Sequence, residues 1–84
     1  MNQIYSTTDI LLAAVLKIKG YHLSSIDVKG NKGTFHFDNV PESTVLDYDL
    51  GDTLVEPVLF NNTIKQLTTS IRRMADAKGF NGKR

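Results

Sequence analysis

Residues 57–78, PVLFNNTIKQLTTSIRRMADAK, carry the pattern that decides the fold. Within them Phe60, Ile64, Leu67, Ile71 and Met74 recur at steps of four, three, four and three, so all five lie on one stripe of an α-helix. Glu56-Pro57 opens the helix, because a proline in the first turn lacks only an amide that would have no partner there. The pattern predicts a helix to about Lys78, followed by a mobile tail in which Gly79 and Gly82 flank Phe80 and Asn81. An apolar stripe of this length must be covered, either by the chain's own core or by a partner. The five residues are therefore core candidates and interface candidates together.

Upstream of the stripe the period changes to two. Ile26 and Val28 alternate with Asp27 and Lys29, and Phe35 and Phe37 alternate with Thr34, His36 and Asp38. Gly30-Asn31-Lys32-Gly33 between them reads as the turn of an antiparallel hairpin. Pairing Gly30 with Gly33 sets Val28 against Phe35, Ile26 against Phe37, and Asp27 against His36 on the opposite face. A slip of one residue would strand the aromatics on the wrong side. Further upstream, Ser6-Thr7-Thr8-Asp9 has the form of a capping box, predicting a helix from about Thr7 to Lys19 that ends at Gly20. Its run Ile10–Leu16 is apolar all round, and Ala13-Ala14 permit close approach, so this helix should form the buried centre. For the stretch from Val40 to Glu56 two readings stay open: a short helix begun by Pro41-Glu42-Ser43 and stopped by Gly51, or a loop.

The sequence thus predicts one α+β domain over residues 1–79: an N-terminal helix, an antiparallel β-hairpin, the undecided short helix and a long C-terminal amphipathic helix, with 80–84 as a short basic tail. At 84 residues such a domain buries roughly 60 to 65% of its unfolded surface, which leaves little room for a deep active site. There is no cysteine, so disulfides, thiolate chemistry and Cys-ligated zinc are excluded. The longest apolar run, Ile10–Leu16, falls far short of the roughly 20 residues that span a bilayer and has no basic lead-in. A soluble, unprocessed protein of the cytoplasm is expected, with no membrane partner.

The net charge of +1 conceals a segregation. Glu42, Asp47, Asp49, Asp52 and Glu56 make residues 41–56 net −5, whereas Lys65, Arg72, Arg73, Lys78, Lys83 and Arg84 against Asp76 make 57–84 net +5. These six basic residues are the candidates for contacting an anionic ligand. The acidic segment does not fit a calcium loop: counted from Asp47, Asp52 occupies the glycine position and Val58 that of the bidentate Glu. His22 and His36 point to opposite faces by strand parity and should not share a metal, while His36 beside Asp27 reads as a cross-strand polar pair. With no Gly-x-Ser-x-Gly elbow and no phosphate loop, the residues argue against an enzyme, and no cofactor is expected.

The order Tyr5-Ser6-Thr7-Thr8-Asp9, then Ala13 to Gly20 ending in Lys-Gly, then Gly33-Thr34-Phe35-His36-Phe37, resembles a family of small bacterial and phage domains of unknown function. Asp47-Tyr48-Asp49, Gly51, Val55-Glu56-Pro57 and Ile64 through Ile71 are similar to that family's acidic-aromatic linker and closing helix. The resemblance covers roughly residues 4–72 and implies a helix, hairpin and closing-helix architecture, often phage-encoded and so acting in a host cytoplasm. It brings no catalytic residue. A non-catalytic, homo-oligomeric interaction module that binds a host protein or an anionic ligand fits these features. The alternatives are a nucleic-acid-binding accessory protein using the basic helix and tail, and a sponge that sequesters a nucleotide signal against host defence.

Overall fold

The computed structural model describes residues 3–30 and 32–82, with side chains as far as residue 77. In chain order the elements are β1 (Ile4–Thr7), α1 (Ile10–Ile18), β2 (Leu23–Lys29), β3 (Lys32–Asp38), α2 (Glu42–Asp49) and α3 (Pro57–Gly82). The three strands form one antiparallel sheet in the order β1-β3-β2, and α1 and α3 cover one of its faces. The fold is α+β, with the long C-terminal helix the sequence predicts.

β1 is absent from the sequence reading, and its presence overturns the capping box. Ile4–Thr7 pairs with β3, setting Ser6 opposite His36, and the Ser6 hydroxyl bonds to the His36 ring instead of to a helix amide. The cap of α1 is Asp9 alone, whose Oδ1 accepts from the Leu11 and Leu12 amides at 2.9 and 3.3 Å, so the helix starts at Ile10 and not Thr7. Gly20, at φ +97°, follows the helix end in the left-handed conformation. Leu12 to Leu16 are all buried, as a helix that is apolar all round requires.

The hairpin keeps the predicted faces but shifts register by two residues. Lys29 pairs with Lys32, Val28 with Gly33, Asp27 with Thr34 and Ile26 with Phe35. The connection is still two residues long but starts one residue earlier, so Gly30, at φ +60°, takes a turn position instead of a paired one. A shift of two preserves side-chain parity, so the aromatics stay inside. A bulge between Leu23 and Ser25 then resets the alternation, which brings Leu23 opposite Phe37 and leaves His22 exposed instead of on the Ile26 side.

The core joins Leu12, Ala13, Ala14 and Leu16 of α1 to Phe35 and Phe37 of β3 and Leu67 of α3. Phe60, Ile64 and Ile71 pack against it, so four of the five stripe residues serve the molecule's own interior. The open stretch from Val40 resolves as helix: α2 begins after Pro41, holds Val45 and Tyr48 against the core, and is followed by Gly51 at φ +78°. Glu56 caps α3 by accepting from the Leu59 amide at 2.7 Å. α3 continues through Gly79 to Gly82, since a helical glycine costs only about 1 kcal/mol and does not by itself end a helix. Among the described residues no helix is long and apolar enough to cross a membrane.

Gly33 lies beneath α3, where a Cβ would lie 2.6 and 2.8 Å from Ile71 Cδ1 and Cγ1. Gly33→Ala should therefore lower stability by roughly 1–3 kcal/mol in urea unfolding, as overpacking does. Ile71→Ala introduced into that variant removes both clashing atoms and should cost less than it does in the parent protein.

Candidate functional site

The sheet face turned away from the helices is polar and open. On it Ser6 of β1, His36 of β3 and Asp27 of β2 form a continuous chain of hydrogen bonds: Ser6 Oγ lies 2.6 Å from His36 Nδ1, and His36 Nε2 lies 2.8 Å from Asp27 Oδ2. A carboxylate can only accept, so Nε2 carries a hydrogen; in the neutral ring Nδ1 then accepts from the Ser6 hydroxyl. Asp27 reaches His36 along the diagonal, since its direct partner is Thr34. The donor order is that of a serine hydrolase, but the setting differs. Asp27 is 77% exposed, so water screens its hold on the imidazole, which is itself 21% exposed. On this face the relay ties all three strands together.

A second polar junction lies at the start of α1. Besides capping the helix, Asp9 accepts from the Tyr48 hydroxyl through Oδ2 at 3.2 Å, which fastens α2 to the N-terminus of α1. Tyr21 adds a 3.1 Å bond to Thr44 from the core side. Burial, followed by the Asp9 charge and the hydrogen bond to it, raises the Tyr48 phenol above its usual value. At the far end of β1, Asn39, at φ +55°, prolongs the pairing with β3: its side-chain oxygen accepts from the Gln3 amide, and its own amide donates to the Gln3 carbonyl.

The residues singled out from the sequence separate into three groups. In the stripe, Leu67 is fully inside, Phe60, Ile64 and Ile71 are half-buried, and Met74 is 39% exposed. Lys65, Arg72 and Arg73 are exposed on α3, where Lys65 and Arg73 share a shallow cavity with Gln66, Thr69 and Ser70, and Arg72 lies beside Asp76 in another. The Lys78 side chain, Lys83 and Arg84 lie outside the described residues. Among the described residues no three His, Asp or Glu side chains gather where they could hold a metal ion.

Two features of the surface are not predicted from the sequence. Ser6 belongs to a strand and not to a helix cap, since Ile4-Tyr5-Ser6-Thr7 alternates as a strand does and puts Tyr5 and Thr7 inward. The second is a set of exposed aliphatic residues outside the stripe, four leucines and a valine: Leu46, Leu50, Leu54, Val58 and Leu59, with Leu54 at 91% and Leu50 at 65% exposure. The first four recur at steps of four, a spacing interrupted by Asp47, Asp49, Asp52 and Glu56.

No family model, curated protein or solved structure matches the chain. The resemblance to small phage domains thus rests on the quoted residues alone.

The raised Tyr48 value fixes a direction for alkaline behaviour. A proton held more tightly in the folded state favours folding below the unfolded value of about 10, and that contribution is lost as pH rises through the higher folded value. Stability measured by urea unfolding between pH 9 and pH 12 should fall, and Tyr48→Phe should flatten that fall while lowering stability at neutral pH by about 1 kcal/mol.

Proposed function

We propose that the protein is a non-catalytic interaction module that works by binding, and that its first partner is a second copy of itself seated on the leucine surface of residues 46–59. The observation that carries this is the exposure of Leu46, Leu50, Leu54, Val58 and Leu59 in one continuous stretch of an 84-residue chain. Burying a leucine contributes roughly 1.5–3 kcal/mol, so several together supply an affinity that surface charges cannot.

Charge favours a like partner. Glu42, Asp47, Asp49, Asp52 and Glu56 are interleaved with the leucines and exposed, and Lys65, Arg72 and Arg73 are exposed on the helix that follows. In a two-fold dimer each acidic rim can meet the basic helix of the other copy, which sets register and speeds encounter. The stripe is largely spent on the interior, and the β2 edge carries a bulge, Asp27 and Lys29, all features that discourage strand pairing. A phage setting and a host-protein target follow from the sequence resemblance and extend the same reading. Light scattering at micromolar and higher concentration should give a dimer mass, and Leu50→Asp with Leu54→Asp should give a folded monomer. A parent protein that stays monomeric throughout refutes the proposal.

A nucleic-acid reading has one observation in its favour: the α3 cavity of about 330 Å³ that brings Lys65 and Arg73 together with the Thr69 and Ser70 side chains. Cations and hydroxyls of this kind contact phosphate without reading bases. Gel shifts across a salt series should then show binding that weakens steeply with salt, and Lys65→Ala with Arg73→Ala should reduce the slope by roughly 2. Absence of binding at low salt removes this reading.

A further inference from the structure

We infer that a notch beside the hairpin is a binding site for a small organic anion with a flat apolar body, of the aryl phosphate class. The notch exists because β1 is shorter than β3. β1 ends at Thr7, opposite Phe35, and the chain turns through Thr8 and Asp9 into α1, so Lys32, Gly33 and Thr34 extend beyond the end of β1. Two adjoining cavities occupy the gap, of about 330 and 350 Å³, and share Thr8 and Lys32. Each lies in the size range of small-molecule sites.

The two halves differ in chemistry. The inner half is walled by Ile10, Phe35 and Ile71 over Gly33, whose missing side chain leaves room for Ile71 to lie against the sheet. The outer half presents Lys29 and Lys32 with Thr8 and Thr34. Lys29 and Lys32 are register partners, an arrangement of like charges directly opposite one another that opposes pairing, and neither has an ion-pair partner among the described residues. A bound anion relieves that repulsion. Two ammonium groups and two hydroxyls suit a tetrahedral phosphate head better than a neutral one. The one carboxylate lining the notch, Asp27, has its Oδ2 held by His36. The apolar half then receives the ring, so the site demands both parts of the ligand at once. This site shares no residue with the leucine surface, and its outcome is independent of whether the protein dimerises.

The test is an amide NMR titration of the full chain with 1-naphthyl phosphate. Saturable shifts are expected at Thr8, Lys32, Gly33, Thr34, Thr68 and Ile71, with half-saturation below about 1 mM. Inorganic phosphate and 1-naphthol, each carrying one half of the chemistry, should bind at least about tenfold more weakly. Lys29→Ala with Lys32→Ala changes only exposed side chains and keeps the fold, verified by thermal unfolding, and should weaken binding by about tenfold or more. No shifts up to about 5 mM, shifts centred on Leu46, Leu50 and Leu54 instead, or an affinity unchanged in the double variant would each overturn the assignment.

Discussion

Phe35 and Phe37 sit on the central strand with no exposed surface, flanked by two strands along their backbone and packed in one cluster with the buried residues of α1 and with Leu67 of α3. The other elements are arranged around that contact. An interior filled by two aromatic rings, two alanines and a few leucines tolerates little change in volume. α3 closes the remaining side through Leu67 and Ile71, and Gly33 concedes the space Ile71 needs. With so small a core, every side chain on it carries a large share of a marginal stability.

The helix-covered face of the molecule was legible in the sequence because each of its signals was long or doubled. The α3 stripe repeats over four turns, the apolar run of α1 allows only burial, and Ile26, Val28, Phe35 and Phe37 fix which side of each strand is inside. What could not be read is what depends on contacts distant in sequence. Four residues of β1 carry too short an alternation to announce a strand, and Ser6 fits a capping role until His36 is brought beside it. Gly33 leaves the room that Ile71 fills, and only the tertiary fold brings these two residues together. For the same reason none of the composite surface features could be found. The relay needs three strands, the notch needs the length difference between β1 and β3, and the leucines matter only because the fold leaves them bare.

The two faces of the sheet divide the work. The inner one is spent on cohesion, and the outer one holds its polar groups in fixed relative positions by bonds that cross the strands. Rigid elements with short polar side chains make a better recognition platform than a mobile loop, since little ordering is left for a ligand to impose. Asp9 extends the same economy to the helices: one oxygen steadies α1 and the other holds α2, so a single carboxylate aligns the segments from which the leucine surface begins.

The strand order also bears on how the chain assembles during synthesis. β1 leaves the ribosome first, yet Ser6 meets His36 only after thirty further residues have been made. β2 and β3 close on each other across two residues, and the entropy of loop closure rises with the length of chain enclosed. The hairpin can therefore close before the N-terminal strand joins it, and in that order the nascent segment waits unpaired. Growing polypeptides from adjacent ribosomes on one messenger meet the same vacant edge of β3 that β1 is destined to fill, which makes strand exchange between neighbours the characteristic error of this topology.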